Sequence, residues 1–552
     1  MIAAMIAMVL AGASGTPGAA EAAPTAASSA SSTAASGPAA APPRHQTLDI
    51  LEFRISGATR LSQLELEAAV APFLGPGRPL EDVERARAAL EKAYSDRGYQ
   101  SVAVAIPRQT VRDGVVALEV TEGKVGRLRV RGARWFSPFD VKREATSVAE
   151  GTVPNFNDVV RDIYLLNQIP DRRVTPIVRA GVVPGTVDVD LKVQDALPLH
   201  GSLELSNRRS PGTTPLRLNG GLHYDNLWQA GHSLAFSFQV APQRVLDGKV
   251  FTASYLARFA DVPWLALSAN GVLQDSDIST LGALAVQGRG RILGGRAAFT
   301  LPAPAGLFQT VSAGLDYKHL EQYDWVPVAP ADGSSAPTPQ KRATPITYWP
   351  LTTQYTAIWA GESSQMQLGA SVVLNVRALG SDAQRFEDKR YDASGSFIYG
   401  RAELSRTDEL GSGIQLFERA TGQLSPGPLL PSEQLTAGGA ESVRGYLEVQ
   451  ASGDFGGVGT VEVRSPSIAT WLGKRVVEEW RFLAFANAGW LGIHAPLPEQ
   501  QRRTRLWSVG GGSRARLVGR LNASVDVGVP LANEGPTRRF HPAVHFRVWS
   551  EL

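Results

Sequence analysis

The chain contains no cysteine. That excludes disulfides, thiolate metal sites and a thiol nucleophile, and it suits a protein that passes into an oxidising compartment. Beyond the N-terminus no run of about 18 apolar residues occurs, so a membrane-crossing helix is not expected. Long basic runs are missing, and a net charge of +3 on 552 residues is small. Nucleic acid is therefore not an expected partner. The 8 histidines are scattered without metal-ligand spacing. There is no G-x-S-x-G elbow and no phosphate-cradling loop. Enzymatic activity, a cofactor and a metal are all unexpected.

Glycine is abundant, at 55 residues, while charged residues make up only 19%. This composition suits short strands and turns rather than long helices. Residues 1–22 read as a signal peptide. An apolar core at 2–13 precedes the small-residue cleavage site Ala20-Glu21-Ala22, although the usual basic start is missing. Residues 23–46, mostly Ala, Ser, Thr and Pro, read as a disordered linker.

The next stretch mixes periods. Asp49-Ile50-Leu51-Glu52-Phe53-Arg54-Ile55 alternates as a strand and ends at Gly57. Ser62 and Glu65 form a capping box that opens a helix. A second helix runs from about 81 to 97, with Val83, Ala86, Leu90 and Tyr94 on one face. Strands near 101–107 and 115–122 follow, giving β-α-α-β-β. The order repeats, with a strand at 126–130, helices near 138–150 and 155–168, and strands near 174–180 and 186–194.

From Leu199 the helical period vanishes. Leu234, Phe236, Phe238 and Val240 alternate with Ser233, Ala235, Ser237 and Gln239. Val544, Phe546 and Val548 alternate with His545, Arg547 and Trp549. One apolar face and one polar or small face is the pattern of a wall with lipid on one side and a wet lumen on the other. Only helices and closed barrels satisfy every backbone group in lipid, so a spanning chain without apolar helices must close a barrel. Sixteen strands are expected. They include single strands at 281–302 and 346–361, with the longest connections at 319–345, 376–390, 422–453 and 491–503. These long connections fall on one side and the short turns on the other, as barrels of this kind require.

The two β-α-α-β-β units resemble polypeptide-transport-associated (POTRA) domains. Tyr94-Ser95-Asp96-Arg97-Gly98-Tyr99 and Ile106-Pro107-Arg108-Gln109 are similar to the first such domain of two-partner secretion transporters. Asn167-Gln168-Ile169-Pro170 and Pro184-Gly185-Thr186 are similar to the second. Val443-Arg444-Gly445-Tyr446 resembles the signature of the outer-membrane assembly and secretion superfamily. In that superfamily the sixth external loop folds into the barrel, and its arginine meets an F-x-D-x-G motif on the wall. Here the wall motif looks like Phe485-Ala486-Asn487-Ala488-Gly489, with Asn487 in the aspartate's place. An arginine–amide contact is weaker than a charge-assisted pair, by ~1 kcal/mol. The loop is expected to seat less firmly, or Arg444 to take another acid such as Glu462 or Asp526.

Ser210-Pro211-Gly212-Thr213-Thr214-Pro215 and Tyr224-Asp225-Asn226-Leu227-Trp228-Gln229 look like the first barrel hairpin of haemolysin- and haemagglutinin-class transporters. The resemblance implies an all-β, 16-stranded transmembrane β-barrel (196–552) preceded by two periplasmic α+β POTRA domains (47–123 and 124–195). It implies residence in the outer membrane of a Gram-negative cell, in contact with its lipid. The expected client is a large secreted exoprotein, adhesin- or haemolysin-like, recognised unfolded in the periplasm. A barrel-assembly insertase is the competing reading, but such proteins usually carry more tandem domains than the two that fit here. No amphipathic plug helix is visible in the linker.

Overall fold

The computed structural model describes residues 47–551, apart from Gln168, Pro170, Ala260, 282–283, Ala305, 329–337, 470–475 and Val518. The expected signal peptide, linker and parts of the Asn167-Gln168-Ile169-Pro170 motif lie outside the described residues. The chain divides into two compact units, Met1–Leu197 and Pro198–Leu552.

The first unit holds two small sheets. In one, strand Glu52–Ser56 runs parallel to Val115–Glu122, which pairs antiparallel with Val102–Ala105. Helices Gln63–Val70 and Glu81–Asp96 pack against it, and Ile50, Ala86, Leu90, Tyr94 and Leu118 are fully buried between them. The Ser62–Glu65 capping box forms as expected. An additional strand, Gly75–Pro79, pairs with Thr47–Ile50. The sequence reading missed it because its glycines and prolines signal a loop. Glu122 ties the unit together, accepting hydrogen bonds from the Thr59 and Arg60 amides at 2.6 and 2.8 Å and from the Tyr94 hydroxyl at 3.1 Å. Partial burial works to raise this carboxyl, but those bonds outweigh it and hold it below the usual range.

The second sheet has Lys124–Arg131 parallel to Thr186–Asp195, flanked by Arg172–Ala180. Its helices are shorter than predicted, Pro138–Glu144 and Phe156–Leu166. The expected helix over 138–150 stops early, and a 3-10 turn, Thr146–Val148, takes its C-terminal part. Ser147 N–H donates to Asp162 there, at 2.8 Å, instead of continuing the helix.

The second unit is a closed barrel. The last strand, Ala543–Glu551, pairs with the first, Leu199–Ser206, which closes the ring. Neighbours are antiparallel throughout and sixteen strands make the ring, because Thr338–Tyr348 and Leu351–Ala360 are two halves of one strand. The break between them is at Pro350, which has no N–H to give the ladder. The apolar parity faces outward. Leu222, Phe236, Leu293, Val372, Phe482, Val525 and Val544 are exposed, while their polar neighbours turn into the lumen.

The structure redraws three predicted segments. The strand expected at 281–302 forms as one strand, Leu284–Leu301, but its hairpin partner Leu265–Leu281 runs on to meet it where a loop is expected. The polar run Gln274-Asp275-Ser276 resembled a loop, yet it stays in the ladder, with Asp275 opposite Arg289. The connection expected at 319–345 is likewise mostly strand, since Leu307–Val328 and Thr338–Tyr348 continue pairing. Strands that extend past the lipid slab carry polar residues, so alternation alone ends them too early. The third segment, 376–390, contains helix Ala383–Lys389, capped by Asp382. Its Phe386 is fully buried edge-on to the Tyr348 ring.

Candidate functional site: the loop inside the barrel

The longest connection runs from 425 to 454, between strands Gln415–Leu424 and Phe455–Arg464. It is neither helical nor free. A short hairpin, Leu435–Ala437 with Ala451–Gly453, braces it, and the described loop side chains Leu429, Glu433, Val443, Arg444 and Tyr446 are buried. A loop this buried must pair its polar groups, and the way it does so defines the site.

Arg444 sits at its centre, 3% exposed. Its Nε and its backbone N–H both donate to Asn487 Oδ1 at 3.2 Å. Its Nη1 donates to Glu462 Oε2 at 2.7 Å, with Asp526 at 3.8 Å. The guanidinium carbon lies 3.4 Å from the centre of the Phe485 ring, a cation–π stack. The guanidinium thus contacts both Asn487 and Glu462, two residues the sequence offers as alternative partners. Asn487 orients the guanidinium, and Glu462 supplies the negative charge that an asparagine lacks.

The remaining predicted residues converge on the same place. Val443 and Tyr446 are fully buried. The Tyr446 hydroxyl donates to the carbonyls of Ala532 and Trp507, at 2.9 and 3.2 Å. Gly445 has φ +94°, a left-handed conformation, and an added Cβ would come 3.0 Å from the Gly528 backbone. Its N–H donates to His545 Nε2 at 3.0 Å. Gly489 faces Val443, whose Cγ2 would lie 3.3 Å from a Cβ placed there.

The wall is shaped to receive the loop. Glu462, Asn487, Asp526 and the Phe485 ring lie on the lumen faces of neighbouring strands, with Asn487 opposite both Thr460 and Ser508. A Cβ on Gly510 would meet the Phe485 ring at 2.5 Å, and one on Gly528 would meet the Gly445 nitrogen at 2.5 Å. The glycine run at 510–512 is thus a place of close approach, as its position within a strand suggests.

A second anchor was not visible in the sequence. Glu433, 2% exposed, accepts from Lys318 Nζ at 2.6 Å, Tyr348 Oη at 2.6 Å and Tyr399 Oη at 2.8 Å. These partners come from strands on another part of the ring. Asp454, fully buried, accepts from the Leu429 and His494 amides and from Gln434. No local pattern marks Glu433, because an irregular loop has no period that reveals which side is inward.

The comparisons with known proteins fall on this geometry. Residues 342–515, which include the loop and its main wall partners, match the family described as haemolysin secretion/activation protein ShlB/FhaC/HecB. Residues 48–123 match the ShlB-type POTRA domain. The chain is a two-partner secretion transporter. The outer membrane transporter CdiB of Dickeya dadantii is 24% identical to this transporter over 523 residues, covering 87% of this chain and 82% of that protein. Among solved structures, CdiB from Escherichia coli superposes with TM-score 0.63 at 19% identity, covering 94% and 93% of the two chains. BamA from Haemophilus ducreyi lacking POTRA domains 1–3 reaches 0.54 at 14% identity, covering 91% and 100%. That likeness shows a shared fold. The transporter resides in the outer membrane, with its POTRA domains in the periplasm.

Asn487→Asp in this transporter is expected to change loop seating by no more than about 1 kcal/mol. Glu462 already balances Arg444, and aspartate cannot replace the Asn487 Nδ2 donation to Thr460 Oγ1 at 2.9 Å. The conductance of single channels in a planar bilayer should stay close to wild type. A strongly closed or opened pore would contradict this assignment of charge.

Proposed function

We propose that the transporter captures an unfolded, adhesin- or haemolysin-like exoprotein on its second POTRA domain (124–195), and that loop 425–454 must leave its seat for that client to pass outward. The observation carrying this reading is a closed ring whose lumen holds a loop anchored through buried charges. The Val443-Arg444-Gly445-Tyr446 segment acts as the lock, with Phe485, Asn487 and Gly489 as its wall partner.

The capture surface follows from exposure. On helix Phe156–Leu166 the buried side holds Val159, Asp162 and Leu166, while Phe156, Val160 and Tyr164 form an exposed apolar stripe at intervals of four. Packed beside it is Arg172–Ala180, an edge strand that also exposes Ile177 and Val178. An extended chain can add to such an edge through its backbone and place apolar side chains on the stripe. Pro176 interrupts the donors, so pairing is confined to the residues on either side of it.

The double variant Val160→Glu/Tyr164→Glu leaves the buried side of the helix untouched. It is expected to weaken binding of the denatured client exoprotein by about tenfold or more. Fluorescence anisotropy with the purified full-length transporter would measure this. Unchanged binding and unchanged secretion would refute the surface.

A further inference from the structure

The scattered histidines of the sequence are not all scattered in space. His200 lies on Leu199–Ser206 and His223 on Arg217–Leu227, and the antiparallel register sets them directly opposite each other. Asp225 is two residues beyond His223, so it projects from the same face of its strand. Leu222 on the alternate parity is exposed to the outside, which puts the trio on the lumen side. The two imidazoles stack with centres 4.7 Å apart and planes at 25°. His223 Nε2 is 3.2 Å from Asp225 Oδ2, and the donor atoms of all three residues fall within 4.8 Å of one another. Asp225 is buried and its N–H donates to Pro198 O at 2.9 Å, while both histidines keep partial exposure.

We propose that His200, His223 and Asp225 form a binding site for a divalent transition-metal ion of the zinc class, bridging the first two strands of the barrel wall. Two imidazole nitrogens and one carboxylate oxygen are a donor set that suits zinc, nickel or copper rather than magnesium or calcium. Three protein ligands with water in the fourth position is an established tetrahedral arrangement for zinc. Ligand atoms around tetrahedral zinc lie about 3.3 Å apart, so the trio needs only side-chain rotation to close on an ion. Partial exposure gives the ion a path in from water.

A bound ion would tie the first strand to the second near the point where the chain enters the wall at Leu199. The ligands come from two strands, so the ion stabilises their pairing and has no part in any chemical step.

The test is a titration of the full-length transporter, purified in detergent without a polyhistidine tag, using zinc chloride by calorimetry and cobalt chloride by visible absorption. One equivalent is expected to bind, with the cobalt band of a four-coordinate nitrogen and oxygen site. His200→Ala, His223→Ala and Asp225→Asn are each expected to weaken binding by about tenfold or more, and the double histidine variant to abolish it. Heat-modifiable mobility on a gel verifies that each variant still forms a barrel. The His319→Ala variant, altered elsewhere on the wall, is expected to bind as wild type does. Absence of saturable binding to the wild-type protein would overturn the proposal. Undiminished affinity in a folded double histidine variant would overturn it equally.

Discussion

A Val443→Cys/Gly489→Cys transporter is expected to secrete normally when reduced and to lose at least about nine-tenths of secretion when oxidised. The geometry favours the bond. Val443 Cγ2 occupies the place a sulfur would take, 3.3 Å from the Cβ position at residue 489, close to the sulfur-to-Cβ separation of a relaxed disulfide. The natural chain contains no cysteine, so this pair has no competitor. Residue 443 belongs to the loop and residue 489 to the wall strand Val477–Gly492. Oxidation therefore ties the loop into its seat. The reduced form of the same protein is the internal control, since it carries the same two substitutions without the tether. The readout is client in the culture medium before and after a membrane-permeant reductant. Normal secretion by fully oxidised protein would mean that the loop need not move, and the proposed route through the lumen would fail.

Glu433→Gln is expected to unseat the other side of the loop. Glu433 and Lys318 are 2% and 10% exposed at the side chain and 2.6 Å apart. Replacing the carboxylate leaves a buried ammonium without its counter-charge. Breaking one partner of such a pair costs roughly 3 kcal/mol, a shift of about a hundredfold between seated and unseated loop. The Tyr348 and Tyr399 hydroxyls also lose the carboxylate they donate to. The expected result is a more conductive channel in a planar bilayer and faster proteolysis within 425–454. Glu441→Gln is the contrast. Glu441 pairs with Arg208 at 2.6 Å, but its side chain is 54% exposed, so its loss is expected to cost less than about 1 kcal/mol. Equal effects from the two variants would show that the buried anchor has no special weight.

The two anchors differ in how they could be found. Arg444 is carried by a local motif, and its neighbours Glu462 and Asp526 follow from strand parity. Glu433 depends on Lys318, Tyr348 and Tyr399, all of them more than thirty residues earlier in the chain. The helix Ala383–Lys389 posed the same difficulty, since only its Asp382 cap hinted at order inside an expected loop.

Sequence alone determined the class of architecture here. A period of two along the chain decides which side of each strand meets lipid, and a chain without apolar helices has only closure as a way to pair its backbone there. The capping box, the turn glycines and the arginine motif are equally local and could be read directly. Tertiary structure decided everything that depends on register between distant strands. It determined how far the hairpins continue beyond the lipid, which acid balances Arg444, where Glu433 finds its partners, and that two histidines 23 positions apart stand face to face. The physical reason is that alternation specifies a side chain's face but not its height on the wall. Height is set by the staggered pairing of the ring as a whole.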